Sequence, residues 1–309
     1  MLIKVLGAGA GGGLPQWNCN CANCTQARSR TGPVKPRTQS SIAISDNGDD
    51  WVLVNASPDL LAQLRAQPSL QPARAVRDSG IAAVLLCDAQ IDHVTGLVML
   101  RERTTPLPLY ATQPVLDDLS AAFPLIPLLA HYCGVDQHPI ELGASFHIAP
   151  LDGVRFTAIE IASAPPPYSP HRAAPVIGDN VAFVIEDMAT SATAVYAPGL
   201  ARPSPSILAA MRSARVVLVD GTFWTDTEMI TLGLSSKRAA DMGHLAQCDA
   251  NGEAGMLALL DSLPDTTRKV LIHINNTNPI LDPRSDAYAI VREHGIEIAE
   301  DGMELQVSP

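Results

Sequence analysis

Ala82-Ala-Val-Leu-Leu-Cys87-Asp88-Ala-Gln90-Ile-Asp92-His93 is the stretch on which the fold turns. Its first six residues form a continuous apolar run, the pattern of a strand buried on both faces. The run breaks abruptly into polar residues, and loops that leave the end of a buried strand are where sites tend to lie. Adjacent Asp92 and His93 can reach one ion if the chain turns there; a solvated loop with incidental charges is the competing reading. Gly96 to Leu100, which follows, reads as helical.

Working outward, Leu2 to Leu6, Ser40 to Ser45 and Trp51 to Asn55 read as strands. Asp46-Asn-Gly-Asp-Asp50 has the chemistry of a hairpin turn between the last two. Asn55-Ala-Ser-Pro-Asp59 opens a helix, with Ser57 placed to cap it and Pro58 at its first position. Pro108 to Tyr110, Arg155 to Ile161, Val181 to Glu186, Ala194 to Tyr196, Val216 to Val219 and Lys269 to Ile274 follow as strands. Gly252 to Leu263 and Ala287 to His294 carry helical periodicity. Strands interleaved with helices suggest an α/β architecture of two packed sheets with helices outside, a four-layer αββα sandwich.

The glycine run Gly7-Ala-Gly-Ala-Gly-Gly-Gly13 contains G-x-G-x-x-G after a strand. A dinucleotide fingerprint needs a helix next, and Leu-Pro-Gln-Trp-Asn follows instead. These glycines read as a tight passage into Cys19-Asn-Cys21-Ala-Asn-Cys24. Three clustered thiols supply three of the four ligands of a closed tetrahedral zinc site. Their spacing is too close for an easy unstrained disulfide. Cys87, Cys133 and Cys248 are scattered and read as packed thiols.

The chain has 309 residues, 47% hydrophobic and 17% charged, which fits a folded globular protein. Its net charge of −11 argues against nucleic acid, which needs clustered Lys and Arg. Neither a signal peptide nor a membrane span is legible, so a soluble, reduced, cytoplasmic protein is expected. The pattern shows neither an internal repeat nor a domain boundary; one domain over residues 1–309 is expected, with the cysteine loop, about 11–36, as an elaboration.

Other candidates are quieter. His273 ends a predicted strand, and with Asp92 and His93 it would make a two-histidine, one-carboxylate set, suited to non-haem Fe(II) and oxygen or to catalytic zinc. A lone histidine is more often packed or superficial than a ligand. His244, beside Gly243, has the chemistry of a general acid or base, with a surface histidine as the plain alternative. Tyr168 and His171 lie in a proline-rich loop and are candidate substrate contacts, again against a bland alternative.

Taken together, Ile3-Lys-Val-Leu-Gly7, Gly11 through Cys24, Gln90-Ile-Asp-His93, Ala164-Pro-Pro-Pro-Tyr-Ser-Pro-His-Arg172, Asp220-Gly-Thr-Phe-Trp224, Met242-Gly-His-Leu245 and Leu271-Ile-His-Ile-Asn-Asn-Thr-Asn-Pro279 carry a resemblance. The chain resembles the metallo-β-lactamase-like superfamily and, within it, the family of PQQ-synthesis B proteins. The superfamily implies an αββα sandwich with metal at one edge of the sheets. Its His-x-His-x-Asp-His motif appears here with Asp88 and Gln90 in place of the leading histidines, while Asp92 and His93 match. Tyr196-Ala-Pro-Gly199 falls where a bridging aspartate belongs and has no carboxylate. His273 matches the last metal histidine. The resemblance therefore implies one ion, not a dinuclear hydrolase.

It further implies work in pyrroloquinoline quinone (PQQ) biosynthesis. The implied step is iron- and oxygen-dependent hydroxylation of the tyrosine ring in a Glu–Tyr precursor. The alternative is non-catalytic binding or transport of PQQ or its precursor towards the periplasm. Asp92, His93 and His273 would hold iron(II) or another divalent metal. His244 or Asp220 would move protons, and Asp88 and Gln90 would hydrogen-bond ligands or substrate. Phosphodiesterase relatives carry structural zinc on the same cysteines, with a histidine three residues past the last metal histidine. That position is Asn276 here, so Asn276 is expected beside Cys19, Cys21 and Cys24. Molecular oxygen and a small precursor or PQQ are the implied partners, and a homodimer is compatible with the sequence.

Overall fold

The computed structural model describes residues 1–29, 32–248 and 255–308. The strands are β1 (Leu2–Gly7), β2 (Ser41–Ser45), β3 (Trp51–Val54), β4 (Ile81–Leu85), β5 (Leu107–Ala111), β6 (Val135–Pro139), β7 (Ser145–Ile148), β8 (Leu151–Glu160), β9 (Val181–Asp187), β10 (Thr193–Ala197), β11 (Val216–Asp220), β12 (Arg268–Ile272), β13 (Glu297–Ile298) and β14 (Glu304–Gln306). They form two seven-stranded sheets, ordered β14-β1-β2-β3-β4-β5-β6 and β13-β12-β11-β10-β9-β8-β7.

Period-two alternation explains the layers. Ile3, Val5, Ile42, Ile44, Val52, Val54 and Leu85 point inward and meet Phe156, Phe183, Ile185, Tyr196, Leu218 and Ile272 from the other sheet. The alternate residues Leu6, Ala43, Leu53, Val84 and Leu109 face outward under Leu60, Val115, Leu116 and Leu129. Val195, Val217, Val219 and Leu271 do the same under Ile207, Met211, Met256, Leu260 and Val291. Helices therefore cover both outer faces, which is the αββα sandwich expected from the sequence. Two of the covering helices start on matched caps: Ser204 Oγ accepts from Ile207 N and Ser285 Oγ from Tyr288 N.

β3 to β6 run parallel, as do β10 to β13. The C-terminal ends of β4, β11 and β12 consequently deliver their loops to one edge of the sandwich, the usual place for a site in such sheets. The glycine run closes that edge. Gly9 bridges both Gln39 and Ile274, and main-chain bonds from Ala10 N to Ile274 O and from Ile274 N to Ala8 O clamp it across. No helix starts directly after Gly13, where Leu14 instead bridges Arg37, in keeping with the rejected dinucleotide reading. Gly7 is obligatory, because a Cβ there would sit 2.2 Å from Gln39 O.

Several local expectations need correction. Asp59, not Ser57, is the cap position of the helix Leu60–Ala66, and it makes no side-chain cap bond. Asn55 takes φ 65°, which turns the chain early, and Ser57 Oγ accepts from Asp59 N instead. Asp92 and His93 lie in a helical turn, Ile91–Val94, not in an open loop, and a 3-10 helix, Thr95–Leu100, continues it. The cysteine loop contains a helix, Ala22–Ser29. β12 stops at Ile272 because His273 takes φ 59°. Of the helix expected over Gly252 to Leu263, residues 252–254 lie outside the described residues and Met256–Asp261 is helical.

Candidate metal centres

Two clusters of possible metal ligands stand out among the described residues: Cys19, Cys21 and Cys24, and Asp92, His93 and His273. Within each, the candidate ligand atoms lie within 4.8 Å of one another.

The aspartate–histidine cluster joins both sheets. The turn after β4 supplies Asp92 and His93, and the end of β12 supplies His273. His273 Nε2 is 3.2 Å from Asp92 Oδ2, and His93 Nε2 is 3.8 Å from the same oxygen. The left-handed backbone at His273 costs about 1–3 kcal/mol and marks a position held for a purpose. Gly11 lines the cluster, since a Cβ there would lie 3.2 Å from Asp92 Oδ2.

The Asp88 carboxylate faces His93 Nδ1 at 2.8 and 2.9 Å and accepts its hydrogen. His93 Nε2 turns to the cluster, buried with no hydrogen-bond partner. An orphaned buried nitrogen costs about 1–3 kcal/mol, a penalty that a cation in the cluster removes. Burial opposes charge on His93, but the carboxylates of Asp88 and Asp92 push it up to about 9. Burial likewise opposes ionisation of Asp92, and the two histidines overcome it and hold the carboxylate far below its usual range. The cluster thus attracts positive charge and fits a divalent ion.

Beside it lies a second hydrogen-bonded set. Asp220 Oδ2 accepts from His244 Nδ1 at 2.8 Å and from Leu200 N at 2.9 Å. Asp220 Oδ1 accepts from the Thr222 amide and hydroxyl at 3.0 and 2.6 Å. Burial resists its ionisation, yet the His244 charge and these bonds keep it below the usual range. Burial opposes protonation of His244, and Asp220 raises it. The His244 ring stacks on His273 at 5.3 Å between centroids. Thr222 was not anticipated from the sequence, although it stands two residues past Asp220 in a motif already singled out.

Among the described residues, the positions where the superfamily motif would place a second ion's ligands are engaged elsewhere. Asp88 is engaged with His93, Gln90 Nε2 donates to Ala164 O at 2.9 Å, and buried Tyr196 pairs with Ser40 Oγ at 3.2 Å. The proline-rich loop is pinned alongside. Tyr168 donates its hydroxyl to Ala89 O and packs on Phe123, and His171 Nδ1 meets Asp179 Oδ1 at 2.9 Å. The Tyr168 hydroxyl is therefore already engaged.

In the cysteine cluster, Asn276 Nδ2 lies 3.1, 3.6 and 3.3 Å from the sulfurs of Cys19, Cys21 and Cys24. Asn276 is therefore where the family motif implied. Buried Asn23 holds this loop by donating to the carbonyls of Asn276 and Asn278 at 3.0 and 2.9 Å. All six cysteines are free thiols. Burial pushes the Cys24 thiol up to about 11.

The Beta-lactamase superfamily domain family matches residues 50–274. Coenzyme PQQ synthesis protein B of Cupriavidus necator is 58% identical over 304 residues, 98% of each chain. Its counterpart in Azoarcus sp. is 54% identical over 99% of this chain and 100% of that one. The chain belongs to the coenzyme PQQ synthesis protein B family. A crystal structure of Zn(2+)-bound PqqB from Methylobacterium extorquens superposes with a TM-score of 0.89 at 38% identity, covering 99% of this chain and 100% of that one. A diphosphatase of the PhnP family, at 16% identity and a TM-score of 0.67, shares the fold. The superfamily match begins at residue 50, after the family's cysteine segment. Among the described residues, no helix is long and apolar enough to cross a membrane.

Proposed function

We propose that this chain serves PQQ synthesis by hydroxylating the tyrosine ring of a Glu–Tyr precursor, with Fe(II) and molecular oxygen. The observation that carries the reading is the mononuclear, all N/O cluster of Asp92, His93 and His273. Three protein ligands leave positions open, the arrangement of non-haem Fe(II) oxygen chemistry. A bound ion would supply redox and Lewis-acid chemistry there. Ring hydroxylation replaces C–H by C–OH, and the second oxygen atom leaves as water, taking two electrons and two protons from a small organic reductant of the ascorbate type.

The protein's own groups divide the remaining work. Asp88 orients His93, and outer partners of this kind support ligand basicity. Asp220 is saturated by four donors and so holds His244 in place; it does not carry protons itself. With Nδ1 given to Asp220, His244 keeps Nε2 free to take or give a proton. Gln90 fixes the proline-rich loop, from which Tyr168 and His171 contact substrate. Cys19, Cys21, Cys24 and Asn276 would hold a structural zinc. The reaction is assigned to a reduced, cytoplasmic setting.

Anaerobic reconstitution with Fe(II), followed by oxygen, ascorbate as reductant and a Glu–Tyr peptide, tests the reading by mass spectrometry. A peptide heavier by oxygen atoms supports it. Unchanged peptide together with tight PQQ binding supports a carrier and overturns it.

A further inference from the structure

The Asp220 carboxylate holds one histidine directly and reaches a second only through Thr222. We propose that Thr222 is a positioning residue of the metal centre. Its hydroxyl locks the tautomer of His273 and ties that ring to the carboxylate that orients His244. The inference rests on the metal-centre reading above and deepens it.

Thr222 is buried, and its Oγ1 has four polar neighbours. They are Asp220 Oδ1 at 2.6 Å, the His273 carbonyl at 2.8 Å, His273 Nδ1 at 3.0 Å and His244 Nδ1 at 3.1 Å. A hydroxyl has one hydrogen and two lone pairs. The two oxygens cannot donate, so the hydrogen goes to one of them, and the short contact to an ionised carboxylate takes it. Only lone pairs then face the imidazoles. His244 Nδ1 has its better acceptor in Asp220 Oδ2 at 2.8 Å. His273 Nδ1 must therefore carry a hydrogen and donate it to Thr222. Nε2, which faces Asp92 Oδ2 at 3.2 Å, is then the nitrogen that exchanges its hydrogen for an ion.

The choice between the oxygen acceptors does not alter this conclusion. If the hydroxyl served the carbonyl instead, its lone pairs would still face the nitrogens. The arrangement also lets a single buried carboxylate organise two rings that stack 5.3 Å apart, without placing a second negative charge between them.

The hydroxyl can be removed without dismantling the loops. Main-chain bonds from Gly221 N to Ile272 O and from Asn275 N to Thr222 O hold β11 and β12 together at this edge. The Thr222 amide keeps its bond to Asp220 whatever the side chain. Thr222→Val conserves shape and removes the hydroxyl alone, its hydrogen to Asp220 as well as its lone pairs.

The test uses full-length protein, wild type, Thr222→Val and Thr222→Ser. Long-range proton–nitrogen NMR of the metal-free proteins at alkaline pH reads the tautomer of His273. Cobalt(II) titration of each protein, its cysteine site preloaded with zinc, reads the affinity of the centre. Wild type should show hydrogen on Nδ1. The Val variant should lose that preference and bind cobalt about 10–100-fold more weakly, and the Ser variant should restore both. A Val variant with the wild-type tautomer, or a Ser variant as impaired as Val, overturns the role of Thr222. Absence of cobalt binding in wild type would defeat the metal-centre reading instead, and the nitrogen spectra would still judge Thr222.

Discussion

The cysteine cluster and the aspartate–histidine cluster draw on the same two loops and come out as opposites. The loop after β1 supplies Gly11 to one and Cys19, Cys21 and Cys24 to the other. The loop after β12 supplies His273 to one and, three residues later, Asn276 to the other. The cysteine cluster takes three of its members from six consecutive residues, and Asn276 completes four. Its sulfurs are surrounded by packed apolar side chains, and Asn23 buttresses it from behind. The aspartate–histidine cluster offers three candidate ligands and an orphaned nitrogen, with the hydrogen-bonded set of Asp220, Thr222 and His244 beside it. The contrast separates a site built to be full from one built to be entered.

The sharpest way to break this contrast is His273→Ala. It should weaken metal binding at the aspartate–histidine cluster by more than about 100-fold while the cysteine metal stays, as read by element analysis. The reverse pattern would exchange the two assignments. Asp88→Asn comes next. It removes the carboxylate that orients His93, so affinity should fall about 10–100-fold without change at the cysteines. An unchanged affinity would show that Asp88 is idle.

A pH series sharpens the comparison further. Without metal, His93 is held protonated up to about 9, and an ion must displace that proton. Affinity at this cluster should therefore rise about tenfold per pH unit between roughly 6.5 and 8.5 and level off above 9. The metal-free fold has the opposite dependence. His93 contributes stability fully below its unfolded value of about 6.5, and that contribution is lost as pH rises through about 9. Isothermal titration in buffers of different ionisation enthalpy reads the released proton; binding without proton release would contradict this picture. The smallest effect belongs to Cys24→Ser. It should lower Tm by about 5–10 °C, the shift that a few kcal/mol produces in a domain of this size, and leave the other cluster's affinity intact.

The sequence disclosed these regions unequally, for physical reasons. Cys19, Cys21 and Cys24 announce themselves because their ligands are neighbours in the chain. Asn276 was reachable through its offset from His273 in a family motif; asparagine alone says nothing about zinc. The inner strands were legible because burial on both faces leaves continuous apolar runs. Edge strands were not: β6, Val135–Pro139, is largely exposed and carries Asp, Gln, His and Pro. β13 and β14 are two and three residues long, too short for any periodicity to show. The helix Ala22–Ser29 was hidden because it is short and polar and shows no apolar periodicity. Thr222 was invisible because its role exists only where β11, β12 and the His244 loop converge. A hydroxyl's importance lies in its partners, and those partners are 2, 22 and 51 residues away.

X-ray absorption on protein carrying zinc and one equivalent of Fe(II) tests the central claim most directly. The account predicts sulfur neighbours at the zinc edge and only nitrogen and oxygen neighbours at the iron edge. Sulfur at iron, or a zinc spectrum without sulfur, would contradict it.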